Sequence, residues 1–126
     1  MMLLDSNICI YSFQLHPKAL ELICTESIAL SVISAMELFE GVLEKKKQER
    51  DLVLGLFDFA TILPINLQIS LKSAELIHAE RSKRKVRSTH DFLLAATAIV
   101  HQIPLVTANV KDFSIFPQLK LIPFRV

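Results

Sequence analysis

The 126-residue chain is 52% hydrophobic and 21% charged, which suits one compact core and excludes a disordered chain. Two Gly, five Pro and no Trp argue against an all-β sandwich built on many tight turns. The formal net charge of +1 points by itself to neither nucleic acid nor membrane, so the distribution of charge matters more than its sum.

Residues 2–4 form a short apolar burst closed by Asp5, which predicts a central parallel strand buried on both faces. Residues 7–13 predict a helix, with Asp5, Ser6 or Asn7 available to cap it. Pro17 opens a second helix over 17–24, where its missing N–H does no harm. Residues 28–32 read as a strand, after which Ser34 is expected to cap a helix running towards Lys47. Residues 51–59 predict another helix, and Ile62 and Leu63 a short strand ahead of Pro64. Over 67–83 an amphipathic helix is expected from the spacing of Leu67, Leu71, Ala74, Ile77 and His78. A basic stretch leads to Asp91, and 92–100 is apolar on every side, as a buried helix requires. Residues 105–107 and 121–124 are the last strands. Short apolar strands alternating with helices imply an α/β fold: a three-layer α/β/α sandwich on a central, mostly parallel sheet, as one domain over residues 1–126.

The longest apolar run, 92–100, is well short of the roughly 20 residues that span a bilayer, and Asp5 interrupts the first apolar stretch before a signal-peptide core could form. Cys9 and Cys24 have neither metal-ligand nor redox spacing, and a buried thiol is expected at Cys9. A reducing, cytoplasmic setting follows as an expectation.

Open parallel sheets bind ligands at the carboxyl ends of their strands. Asp5 stands at one such end and the turn over 107–112 at another, while Glu37 and Asp91 lie near the starts of helices that begin on the same side. Each acid also has a structural alternative. Ser34-x-x-Glu37 and Ser88-x-x-Asp91 both have the form of a capping box, Asp5 can serve as an N-cap, and Asp112 as a turn residue. Three carboxylates meeting within about 4 Å would repel pairwise by roughly 4 kcal/mol at an effective dielectric of 20. Such a cluster calls for a cation or for shifted pKa values, and oxygen ligands alone favour Mg²⁺ or Mn²⁺ over zinc. His16, His78, His90 and His101 are scattered, His90 reads as an exposed or capping side chain, and no zinc site is expected. Five of the 14 Lys and Arg form one band, Arg81, Lys83, Arg84, Lys85 and Arg87, which leaves nine against 13 acids elsewhere. Such a band is either a solvated helix end or the footprint of a phosphate backbone.

Four segments resemble, in order, the motifs of PIN domains. Met2-Leu3-Leu4-Asp5-Ser6-Asn7-Ile8 is similar to their opening, and Ser31 to Gly41, with its Glu37-Leu38 pair, to the second motif. Asp91-Phe92-Leu93-Leu94-Ala95-Ala96-Thr97-Ala98 resembles the third, an Asp leading into an Ala-rich buried helix. Pro104-Leu105-Val106-Thr107-Ala108-Asn109-Val110-Lys111-Asp112-Phe113 resembles the fourth. Loop lengths are near those of VapC-type toxins. The resemblance implies a PIN-like fold and an endoribonuclease, the toxin of a type II toxin–antitoxin pair. It also implies a Mg²⁺- or Mn²⁺-bound acidic site, a homodimer, and a cognate antitoxin whose tail enters the site. Asp5, Glu37 and Asp91 take the catalytic and metal-binding positions, Glu37 directly or through water. Ser6 and Thr107 would bond the carboxylates and Asn7 would hold the first turn. The fourth acidic position is Asn109 here, which leaves open whether Asn109 or Asp112 completes the site. The glycine usual before the third motif is replaced by the basic stretch 85–88.

Other families with acidic rims fit less well. A receiver domain needs paired acids after the first strand and a central phospho-acceptor Asp, but Ser6 follows Asp5 and Pro64-Ile65-Asn66 follows the third strand. A haloacid-type phosphatase needs Asp-x-Asp where Asn7 stands. The alternative from another class is a non-catalytic PIN-like module that binds RNA or protein, which would keep the fold while losing acids.

Overall fold

The computed structural model describes residues 1–81 and 88–125. Five strands, β1 (Met2–Leu4), β2 (Ile28–Ser31), β3 (Thr61–Leu63), β4 (Leu105–Thr107) and β5 (Leu121–Pro123), form one sheet in the order β3-β2-β1-β4-β5. Every pairing is parallel. The helices are α1 (Ser6–Phe13), α2 (Pro17–Thr25), α3 (Val32–Glu40), α4 (Lys47–Phe59), α5 (Leu67–Glu80), α6 (Thr89–His101) and the short α7 (Val110–Phe113).

The strands are largely apolar because each feeds two cores. Leu3, Ala29, Leu63 and Leu105 point into one, where α5 and α6 pack together with Phe113 and Phe116. Leu4, Ile28, Leu30 and Val106 point into the other, beneath α1 to α4. The chain winds outward from β1 to β2 to β3, then crosses back to β4 and β5. Parallel crossovers are right-handed, so reversing the winding direction moves the helices to the opposite face. Hence α1 to α4 cover one face, α5 to α7 the other, and a switch point opens between β1 and β4. The three-layer α/β/α arrangement matches the expectation from sequence.

Three local expectations need correction. The helix expected from Ser34 towards Lys47 starts earlier and stops well short of Lys47. Pairing with β3 carries β2 as far as Ser31, whose hydroxyl accepts from the Ile33 N–H at 3.2 Å and caps α3 at once. Ser34 is therefore buried inside α3, which ends at Glu40 with Gly41 as its C-cap, and α4 starts at Lys47, four residues ahead of the expected position. The helix α5 turns a different stripe inward: Ile69, Ser73 and Leu76 are buried, while Leu67 and Leu71 are 74% and 59% exposed. Both stripes have helical spacing, so periodicity alone does not choose between them. The expected end of this helix at residue 83 lies outside the described residues. A single turn of helix, α7, occupies part of the stretch read as a turn. Among the described residues, no helix is long and apolar enough to cross a membrane.

The inward stripe of α5 is directly testable by denaturant unfolding. Ile69→Ala removes a fully buried side chain and is expected to lower stability by about 2–5 kcal/mol. Leu67→Ala on the other stripe should change it by less than about 0.5 kcal/mol.

Candidate active site

Asp5 follows β1 directly, and its backbone N–H donates to the Val106 carbonyl at 3.0 Å, extending the β1–β4 ladder by one step. Leu4 pairs with Val106, so Asp5 comes level with Thr107. Neighbouring parallel strands in register point their side chains the same way, and these two therefore meet. The Thr107 hydroxyl donates to Asp5 Oδ2 at 2.8 Å, and its oxygen accepts from the Asn109 backbone N–H at 3.0 Å. Thr107 is fully buried and Asp5 is 6% exposed, so the carboxylate is held by a hydroxyl whose own orientation is fixed. Asp5 occupies the N-cap position of α1 but makes no side-chain cap hydrogen bond, so capping does not explain it.

Asp91 reaches the same rim from the start of α6. Ser88 caps that helix, accepting from the Asp91 N–H at 3.3 Å, which places the Asp91 side chain in the first turn. The carboxyl is held above the usual carboxylate range, first by burial. His90 and a hydrogen bond with Ser88 act against this, while the charges of Asp5 and Asp112 push it further up. Three acids from β1, α6 and α7 thus share one electrostatic neighbourhood. Burial first, and then the Asp5 charge, raises the Cys9 thiol to about 12. Cys9 therefore stays a protonated, packed thiol.

Glu37 sits in the middle of α3, its side chain 46% exposed, and its Oε1 is paired with Nδ1 of His90. With Ser34 inside the helix, the capping-box alternative for Glu37 does not apply. Nδ1 of His90 is buried and has no other partner among the described residues, so Glu37 Oε1 is the acceptor it faces. His90 is corrected from an exposed or capping residue to one whose side chain is only 20% exposed. The sequence signal was its position next to Asp91, but nothing in the sequence tells that α3 and α6 meet here.

The remaining candidates fall around this centre. Ser6 and Asn7, the first residues of α1, line a groove of about 550 Å³ together with Glu37 and the apolar Ile10, Phe13, Leu38, Val42 and Leu52. Sequence reading did not find this groove, because it is built by three helices and no motif marks it. Asn109 is exposed and reaches Thr107 through its backbone, while Asp112 lies exposed on α7. Arg81 is exposed at the end of α5, whereas Lys83, Arg84, Lys85 and Arg87 lie outside the described residues. The donor set is all oxygen, which suits a hard divalent cation. Among the described residues, however, no three of the acids, histidines or cysteines are drawn together closely enough to enclose an ion. The acids feel one another without closing around a point.

A raised carboxyl makes ionisation unfavourable in the fold. Its stabilising contribution is complete below the unfolded-state value and is lost as pH rises through the folded one. Asp91→Asn is therefore expected to raise Tm by roughly 1–4 °C at pH 7 without divalent ions, the gain shrinking as pH falls through the carboxyl range. A lower Tm at pH 7 in differential scanning calorimetry would contradict the crowding. Thr107→Val leaves Asp5 and the Asn109 N–H without their shared hydroxyl and should lower stability by about 1–3 kcal/mol in chemical denaturation.

Comparison with known proteins agrees with this geometry. The family model described as the PIN domain matches residues 2–117. Ribonuclease VapC2 of Rickettsia felis is 33% identical over 129 residues, covering 94% of each chain. Among solved structures, VapBC2 of Rickettsia felis bound to a DNA fragment from its promoter superimposes with a TM-score of 0.85 at 30% identity, over 98% of both chains. A toxin–antitoxin complex from Klebsiella pneumoniae gives 0.81 at 26% identity, over 100% of both. With its sheet order, its acidic rim at the switch point and its motifs in register, the chain belongs to the PIN-domain family, on its VapC-type branch.

Proposed function

We propose that this protein is a Mg²⁺- or Mn²⁺-dependent endoribonuclease, the toxin of a type II toxin–antitoxin pair, hydrolysing phosphodiester bonds of RNA in the cytoplasm. The observation that carries the reading is the buried Asp5 carboxylate at the switch point, oriented by Thr107, with its charge felt by the Asp91 carboxyl. A binding module that had lost the catalytic acids would not keep an oriented carboxylate here. The relatives named as VapC ribonucleases support the same reading.

In this mechanism Asp5 and Asp91 hold the cation, and Glu37 ligates through water or orients the attacking water and takes up its proton. A divalent cation there offsets charge on the transferring phosphate and lowers the pKa of a bound water. Thr107 keeps one Asp5 oxygen fixed, Ser6 and Asn7 shape the edge of the rim, and Asn109 or Asp112 completes it. The basic residues Arg81, Lys83, Arg84, Lys85 and Arg87 hold the RNA backbone, contributing affinity more than sequence choice. A cognate antitoxin inhibits the enzyme by reaching the site, a reading supported by the toxin–antitoxin complexes among the solved relatives. A homodimer is part of the proposal, consistent with exposed apolar side chains such as Met36, Leu67 and Leu71.

Incubating the purified chain with total tRNA tests the chemistry. Cleavage is expected with Mg²⁺ or Mn²⁺, is lost in EDTA, and falls at least about 100-fold in Asp5→Asn. Cleavage by Asp5→Asn with undiminished Mg²⁺ dependence would remove the assignment. A thermal shift with Mn²⁺, about 2.7 kcal/mol at a hundred times Kd, separates the enzyme from a metal-indifferent binding module.

A further inference from the structure

The two acids flanking His90 belong to different layers of the fold. Glu37 rides on α3, whose Leu38 packs into the core beneath α1 to α4, while Asp91 begins α6 on the opposite face of the sheet. His90 is the neighbour of Asp91 in the first turn of α6, its imidazole acts on the Asp91 charge, and its Nδ1 reaches Glu37 Oε1. That nitrogen is buried, and no hydrogen-bond partner elsewhere among the described residues engages it. Glu37 is a long side chain, 46% exposed, and without a tie it would sample several rotamers beside the groove.

We propose that His90 is a positioning residue: its imidazole spans the two helical layers and pins the Glu37 carboxylate to the Asp91 side of the rim. This rests on the ribonuclease reading, since the role of the tie is to hold Glu37 where it orients the attacking water. The tie needs a donor at the Nδ1 position only. Asn at position 90 places an amide N–H close to that point, whereas Gln places it about one bond further out, near Nε2. A side chain that merely filled space would not separate these two variants.

With tRNA as substrate and saturating Mn²⁺, His90→Ala and His90→Gln are expected to lower kcat roughly ten- to a hundred-fold with little change in KM. His90→Asn should recover most of that loss. In a Glu37→Gln background, His90→Ala should add nearly nothing, because the residue acts through Glu37. Independent of activity, the ring-nitrogen resonances of His90 in the ¹⁵N-histidine-labelled, metal-free chain should shift in Glu37→Ala. Unmoved resonances, or His90→Asn as impaired as His90→Gln, would overturn the tie. Absence of cleavage by the unaltered chain would overturn the functional reading instead, and the metal-free spectra would still decide whether His90 holds Glu37.

Discussion

The hydrogen bond from Thr107 to Asp5 depends on more of the fold than any other contact of the rim. It exists because β1 and β4, a hundred residues apart in the chain, lie side by side in a register that brings residue 5 level with residue 107. A slip of one residue would turn every side chain of β4 to the other face, exchanging the contributions of Leu105 and Val106 to the two cores and swinging Thr107 away from Asp5. The apolar pattern that fixes the cores therefore also fixes the site. The Asn109 N–H completes the restraint by occupying the hydroxyl oxygen, so the start of the segment after β4 is tied to the same point.

This arrangement sets acids against stability. Asp91 is placed by an ordinary device, a serine cap on the first turn of a buried helix, and the helix N-terminus favours an acid there. Burial and the nearby Asp5 and Asp112 outweigh that preference and make the carboxyl reluctant to ionise. A residue that would satisfy its own helix is thus held against its neighbours, which is the pattern expected of a functional site and not of a structural cap. Cys9, one turn into α1, is the complementary case. The same Asp5 charge and its own burial keep it a neutral, packed thiol.

The strands were legible in the sequence because each is apolar on both faces and bounded by polar or turn-forming residues. The expected β1 and β4 agree with the structure to the residue, and the expected α/β/α layering followed from strand–helix alternation. What the sequence left ambiguous were choices settled by tertiary contact. Ser31 and Ser34 are both plausible caps, and pairing of β2 with β3 decides for Ser31. The helix α5 has two apolar stripes, and packing on α6 decides for Ile69 and Leu76. Glu37 and Asp91 were identifiable as candidates through motifs, since each motif is local. His90 was not, because its significance lies in a partner 53 positions earlier on the far side of the sheet.

That last case shows what kind of information a rim of this type needs. Asp5, Thr107 and Asp112 come from the central strands and the short helix α7 beside them, and the ladder holds the first two rigidly to each other. Glu37 and Asp91 come from helices packed on opposite faces, so their separation depends on how two independent cores seat against one sheet. Core packing fixes helix positions to within small shifts, yet small shifts are what matter when charged groups must act on one phosphate. A contact made directly between the two layers, at the rim itself, removes that dependence on the cores. The imidazole of His90, facing Glu37 from the start of α6, is placed where such a contact has most effect.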